Sequence, residues 1–111
     1  MSQQATVQNK DIAQIANQHS GSRRFGPVDI TYNLNIAEEQ ATVSASMMGV
    51  SLGKTILTPE HQQSSLGGNV SLDNALIKLE IDFSEKKIIA FVEVNMMGNP
   101  IFKSNVTLLD W

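Results

Sequence analysis

Acidic side chains on two neighbouring segments have the spacing that most resembles an acid and base site. Glu80 and Asp82 alternate with Lys78 along one stretch, and Glu93 follows in the next. Paired carboxylates can exchange protons with a substrate when burial or crowding raises the pKa of one of them. The alternation places these side chains outward, where solvent keeps carboxylates ionised. We therefore interpret them as an exposed face with a Lys78–Glu93 ion pair, and we assign no catalytic residue.

The two histidines, His19 and His61, fall in stretches predicted as polar connections, and neither has a second potential ligand at helical or strand spacing. Accordingly, the sequence predicts no metal site and no cofactor. Cysteine is absent, which excludes disulfides and catalytic thiols, and no phosphate-binding glycine loop or hydrolase motif is present. These features favour a protein without enzymatic activity, with an enzyme that lacks a recognisable motif as the alternative.

The charge and hydropathy of the chain limit its partners. The 111 residues carry a formal net charge of −3, so nucleic acid is not a predicted partner. Arg23 and Arg24 could bind an anion, but two basic residues in a predicted loop are typical of solvated side chains. No apolar run could span a membrane and the N-terminus does not resemble a secretion signal, so we expect a cytoplasmic protein unless a signal was removed.

Four methionines stand at matching places in the two halves of the chain: Met47, Met48, Met96 and Met97. Their flexible thioether side chains could line an adaptable apolar cavity, although core packing is the simpler interpretation. If the cavity exists, an apolar small molecule would contact the ligand-binding residues Tyr32, Met47, Phe83 and Met96.

Apolar and polar residues alternate over residues 28–36, 41–47, 75–83 and 88–96. Alternation with period two predicts half-buried strands, and the polar loops between them predict two hairpins. Pairing Ile36 with Ala41, and Phe83 with Ile88, sends the apolar side chains of each hairpin to one face. The second register also places Lys78 opposite Glu93.

The remaining segments complete the predicted arrangement. Residues 9–18 place Ile12 and Ile15 at helical spacing, which predicts a short N-terminal helix, and residues 20–27 are then predicted to be a turn or linker. Third strands follow at 52–57 and 101–109, with a polar loop over 58–65.

An internal repeat links the two halves. Met47-Met48-Gly49 followed by Lys54-Thr55 corresponds to Met96-Met97-Gly98 followed by Lys103-Ser104. A three-stranded meander cannot bury its apolar face alone, whereas two copies can. We therefore predict an all-β domain of two tandem meanders, over residues 28–57 and 69–109, closed as a sandwich or barrel of six or seven mainly antiparallel strands.

The two predicted hairpins differ on their outer faces. The first is polar there, whereas the second carries Leu76, Ile89, Phe91 and Met97. Such a patch favours an interface, so the leading hypothesis is a small interaction module that forms a homo-oligomer through this face, or whose N-terminal helix covers it. An apolar-ligand protein, which could rearrange its ligand by shape alone, is the first alternative, and a carbohydrate-binding protein is the second.

Overall fold

The structure, a computed structural model, describes residues 18–111. These residues form eight strands and no helix, where six or seven strands were predicted. The strands are β1 (Gln18–Phe25), β2 (Val28–Asn35), β3 (Gln40–Met47), β4 (Val50–Leu57), β5 (Gln63–Val70), β6 (Asp73–Asp82), β7 (Lys87–Met96) and β8 (Asn99–Asp110). The predicted helix over 9–18 lies outside the described residues except for Gln18, which begins β1.

The strands form two antiparallel sheets, each a four-stranded meander in chain order. The first sheet is β1-β2-β3-β4 and the second is β5-β6-β7-β8. No hydrogen-bonded strand pair joins the sheets within residues 18–111, whereas one cluster of buried side chains draws on both. The described residues thus form a sandwich of two sheets around a shared core, one of the two closures that the sequence left open.

The alternation identified in the sequence places the core side chains. On the central strands β3 and β7 every second residue is buried, so that each strand has one apolar face. The largest fully buried side chains come from both sheets: Ile30, Leu34, Met47, Leu57, Ile77, Leu79, Ile81 and Ile88. Burial of apolar surface on both inner faces is the main stabilising contribution to this fold.

Two strands correct the predicted meanders. Residues 20–27 were predicted as a linker but mostly belong to β1, and the predicted polar loop over 58–65 ends where β5 begins at Gln63. β1 of the first repeat is therefore equivalent to β5 of the second, and each repeat is a four-stranded meander. His19 accordingly lies in a strand, opposite Leu34, and not in a connection.

The predicted registers were wrong by two residues, because each four-residue turn begins one residue earlier than expected, at Ile36 and at Phe83. Ala41 pairs with Leu34, and Ile88 pairs with Ile81. A shift of two residues preserves the face of every side chain, so the predicted inward sets remain inward. The predicted pairing of Lys78 with Glu93 is lost.

The outer neighbours of these residues change with the register. Lys78 lies opposite Phe91, and Glu93 lies opposite Leu76 and Lys103. The Nζ atom of Lys103 lies 3.8 Å from the Glu93 Oε2 atom. Glu93 therefore forms its ion pair with β8 and not with β6.

The repeat extends to details of the backbone. In each meander the pairing of the third strand with the fourth contains a bulge with one extra residue, Leu52 in β4 and Ile101 in β8, at the same distance from the preceding turn. Met48 and Met97 both have a positive φ, of 51° and 53°, and so do the glycines that follow them. The second half is longer because β6 and β7 have ten residues where β2 and β3 have eight.

The sandwich has two unlike ends. Four two-residue turns lie at one end, which we call the turn end: Gly26-Pro27, Met48-Gly49, Ser71-Leu72 and Met97-Gly98. The longer connections, together with Trp111, lie at the opposite end, which we call the loop end. A Cβ atom on Gly26 would lie 3.3 Å from the Ile101 Cδ1 atom, which shows that the turns of the two sheets share one end.

Side chains close the two seams between the sheets. Along one seam the ring centroids of Phe25 and Phe102 lie 5.4 Å apart, and the Arg23 Nη1 atom donates a hydrogen bond of 3.0 Å to the Thr107 carbonyl oxygen. Along the other seam the Thr55 hydroxyl donates to the Ser64 hydroxyl at 2.7 Å. Side chains therefore join edge strand β1 to β8, and β4 to β5, where no backbone ladder joins them.

Candidate functional site

The outer face of the second sheet carries an open groove of about 460 Å³. Most residues that line it belong to two rows of side chains that cross all four strands. The first row is Ser65, Lys78, Phe91 and Asn105, and the second is Gln63, Glu80, Ile89 and Thr107. Residues two apart on a strand share a face, so the rows lie side by side.

The apolar part of the groove lies on the central strand β7. Phe91 and Ile89 are adjacent on the outer face and half-buried. Leu76, on β6, lies in the neighbouring row and is also half-buried. Gly67 is the cross-strand partner of Leu76. Together the three side chains form an apolar stripe that runs obliquely across the sheet; Leu76, Ile89 and Phe91 are called the outer stripe below.

Charged and amide side chains flank the outer stripe. The Lys78 Nζ atom lies 5.8 Å from the centroid of the Phe91 ring, within the range of a cation–π interaction. The Gln63 Nε2 atom donates a hydrogen bond of 3.0 Å to the Glu80 Oε2 atom. The face therefore presents a cation and an anion on β6 within two residues of each other.

The equivalent face of the first sheet is polar. The eight side chains on the outer faces of its central strands β2 and β3 are all polar: Asp29, Thr31, Asn33, Asn35, Gln40, Thr42, Ser44 and Ser46. A smaller depression of about 230 Å³ lies there, beside Asp29. The Arg24 guanidinium hydrogen-bonds to Asp29 at 2.8 Å and so holds the pKa of that carboxyl below its usual value. This depression lacks the apolar floor of the larger groove.

The structure brings together three of the four residues predicted as an interface. Leu76, Ile89 and Phe91 form the outer stripe, but Met97 lies at the turn end, 73% exposed. The signal that identified the stripe was the break in alternation on the outer face of the second hairpin. Sequence reasoning missed Gln63 and Ser65, because β5 was not recognised as a strand, and it did not single out Asn105 of β8.

The four predicted ligand-binding residues do not line one cavity. Met47 is fully buried in the core, and Met96 lies with it near the turn end. Phe83 lies at the loop end, where its ring packs edge-on against Trp111 at 6.1 Å. Tyr32 covers Gly21 of β1, where a Cβ atom would lie 2.5 Å from the Tyr32 hydroxyl oxygen. Strands of eight to ten residues separate Met96 from Phe83, a distance of about 30 Å.

The described residues do not bring together the ligands of a metal site. Residues 18–111 contain no cluster of three or more histidine, aspartate or glutamate side chains. The same part of the chain contains no helix that could cross a membrane. The groove on the second sheet is the candidate site because it combines apolar side chains with charged and amide groups.

No family model, no curated protein and no solved structure matches this chain.

Proposed function

We propose that this protein is a non-enzymatic interaction module that self-associates through the outer face of its second sheet. The observation that carries the proposal is the contrast between the two repeats. Both sheets have the same strand order and the same turns, yet only the second has apolar side chains on the outer faces of its two central strands. The first sheet shows that the fold does not require them, so the outer stripe serves contact.

A second copy of the chain is the partner that suits this face. A two-fold axis through the outer stripe would set Phe91 of one copy against the same stripe of the other. Lys78 and Glu80 lie beside the stripe and carry opposite charges. Lys78 of one copy can therefore face Glu80 of the other across the axis. Apolar side chains at the centre and charges around them are the composition of a typical protein interface.

Phe91→Glu tests the proposal, with Ser44→Glu as the matched control. Both residues are half-buried on the outer face of a central strand, one in each sheet. Phe91→Glu places a charge in the stripe and is expected to weaken self-association by about tenfold or more, since truncated interface aromatics have effects of that size. Sedimentation equilibrium over a range of concentrations measures the change, and Ser44→Glu should leave it unaltered.

Two results would contradict self-association. One is a wild-type protein that stays monomeric at the highest attainable concentration, both in the full chain and after removal of residues 1–17. The other is equal association of the Phe91→Glu and Ser44→Glu variants. If only the shortened chain associates, residues 1–17 cover the stripe.

A carbohydrate is the second candidate partner, because amide and hydroxyl groups surround Phe91 in the groove. Gln63, Ser65 and Asn105 could hydrogen-bond to sugar hydroxyls while the aromatic ring stacks on the sugar. The Lys78 ammonium lies over that ring, which leaves less of its surface for stacking. A glycan array measures this directly: saccharide binding by a strictly monomeric protein would favour this candidate.

A further inference from the structure

Within residues 18–111 four strands lie at the edges of the two sheets, and three of them carry features that prevent pairing with another chain. β1 contains Arg23 and Arg24, β4 contains Lys54, and β8 contains Pro100 and Lys103. The bulges described above also lie in β4 and β8. Charged side chains, prolines and bulges at a sheet edge oppose the addition of further strands.

The fourth edge strand, β5, has none of these features. It contains no charged residue and no proline, and all eight of its residues pair with β6 in unbroken register. Gly67, Gly68 and Asn69 are exposed in succession, although Gly68 occupies an inward position opposite Ala75. Exposure on both faces shows that β4 does not cover this part of the edge. An uncharged, regular and exposed edge is the kind to which another strand adds.

Every second residue of β5 directs its backbone amide and carbonyl groups away from β6. The two-residue turn closes on the hydrogen-bonded pair of Val70 and Asp73, and bonded pairs alternate with unbonded pairs along an antiparallel ladder. At the other end of the ladder the Ile81 amide donates to the Gln62 carbonyl oxygen at 2.9 Å, which fits the same alternation. The residues that form no backbone hydrogen bond with β6 are therefore exposed ones: Gln63, Ser65, Gly67 and Asn69.

We propose that β5 pairs in antiparallel orientation with β5 of a second copy, so that the two second sheets join into one sheet of eight strands. Pairing centred on Leu66 places Gln63 opposite Asn69 and Ser65 opposite Gly67, and so uses all four unbonded residues of each copy. No charged side chains meet across this edge. The same contact through β1, β4 or β8 would instead bring the arginine or lysine side chains of two copies together.

This contact is separate from the outer stripe and goes beyond the association through the sheet face. The edge of β5 and the outer faces of β6 and β7 are different surfaces, so one copy can use both at once. Two different two-fold contacts on one chain link copies into assemblies larger than a dimer. Phe91→Glu, which weakens the stripe, should therefore reduce these assemblies to dimers joined through β5.

Ser65→Pro tests the edge contact, with Asn105→Pro as the matched control. Both residues belong to the same row of the groove, on opposite edges of the second sheet, and both amides face away from the neighbouring strand. Proline removes that amide but no hydrogen bond within the sheet, so both variants should fold. In full-length protein that also carries Phe91→Glu, Ser65→Pro should weaken dimerisation about tenfold or more, because each dimer loses two backbone hydrogen bonds. Asn105→Pro should leave the sedimentation equilibrium unchanged.

Hydrogen exchange provides a measurement that leaves β5 unaltered. In the Phe91→Glu protein, the Ser65 and Gly67 amides should exchange more slowly as the protein concentration rises, because the second copy accepts their hydrogen bonds. Amides of β8 should keep their exchange rates. Mass spectrometry of peptides from the two strands measures the difference.

The edge contact is overturned by equal dimerisation of the two proline variants, or by β5 amides whose exchange does not depend on concentration. Wild-type dimers that Phe91→Glu dissociates completely would support the outer stripe and exclude β5 pairing. Dimers that persist unchanged in Phe91→Glu and dissociate in Ser65→Pro would support β5 pairing and exclude the stripe.

Discussion

Asp82 in the second repeat holds the loop that follows its strand, as Asn35 does in the first. The Asp82 Oδ1 atom accepts hydrogen bonds of 2.9 Å from the backbone amides of Ser84 and Glu85. The Asn35 Oδ1 atom accepts one of 3.1 Å from the amide of Glu38. Aspartate and asparagine both form such turns, so the two repeats differ here mainly in charge.

The charge at Asp82 makes this loop sensitive to acid. The hydrogen bond from the Glu85 amide is the main cause that lowers the pKa of Asp82; burial partly opposes it, and the hydrogen bonds from Ser84 lower the pKa further. A carboxylate whose pKa is lower in the folded state stabilises the fold above its unfolded pKa of about 4 and loses that contribution as pH falls through the folded value. This contribution should therefore be present at neutral pH and absent in strong acid.

Asp82→Asn should flatten that acid dependence. The amide oxygen can accept the same backbone hydrogen bonds, as Asn35 does, but it does not titrate. We expect a smaller fall in the urea midpoint between pH 7 and about pH 3 than in the wild type. Asp110→Asn, at an exposed residue, is the comparison. Identical acid profiles for the wild type and Asp82→Asn would show that these hydrogen bonds do not couple to stability.

At the scale of the element, β1 and β5 are the strands that alternation failed to predict. The inward positions of β1 are His19, Gly21, Arg23 and Phe25, of which only Phe25 is a large apolar residue. Both strands lie at a sheet edge and contain glycine and serine, a composition typical of loops. Pairing with β2 and β6 decides their conformation, and that pairing is a tertiary property.

Phe25→Ala tests whether β1 is an integral strand. Phe25 is buried and packs against Phe102 of the other sheet, so truncation should lower the free energy of unfolding by about 3 kcal/mol. Urea denaturation followed by circular dichroism measures the loss. Ser20→Ala, at an exposed residue of the same strand, should change stability by less than about 0.5 kcal/mol. A linker at residues 20–27 would instead tolerate both changes.

For the whole molecule, the shared core predicts cooperative unfolding. Each sheet has one apolar face, and neither can bury that face without the other. Trp111 reports on the second sheet, where its ring contacts Phe83. Its fluorescence and the circular dichroism of all the strands should therefore change at the same urea concentration.

Leu57→Ala provides the corresponding test by mutation. Leu57 is fully buried in β4 of the first sheet, and its truncation should cost about 2–5 kcal/mol. If the sheets unfold together, the Trp111 transition in the second sheet shifts by the same amount as the transition seen by circular dichroism. A Trp111 transition that stays in place would mean that the sheets unfold independently.

The sequence by itself determined the strands whose side chains alternate, the inward face of each and the existence of a repeat. Period two in the residues of β2, β3, β6 and β7 is local information, because neighbouring side chains on a strand point to opposite faces. It also exposed the outer stripe, where Leu76, Ile89 and Phe91 break the pattern.

Only the tertiary structure decided the edge strands, the registers and the two ends of the sandwich. Register depends on the residue at which each turn begins, and a turn that begins one residue earlier moves the pairing by two residues without altering any inward set. The edge strands β1 and β5 take their conformation from their neighbours. Met48, Leu72 and Met97 come from turns far apart in the chain and lie together at the turn end. No local sequence pattern predicts that they share one end.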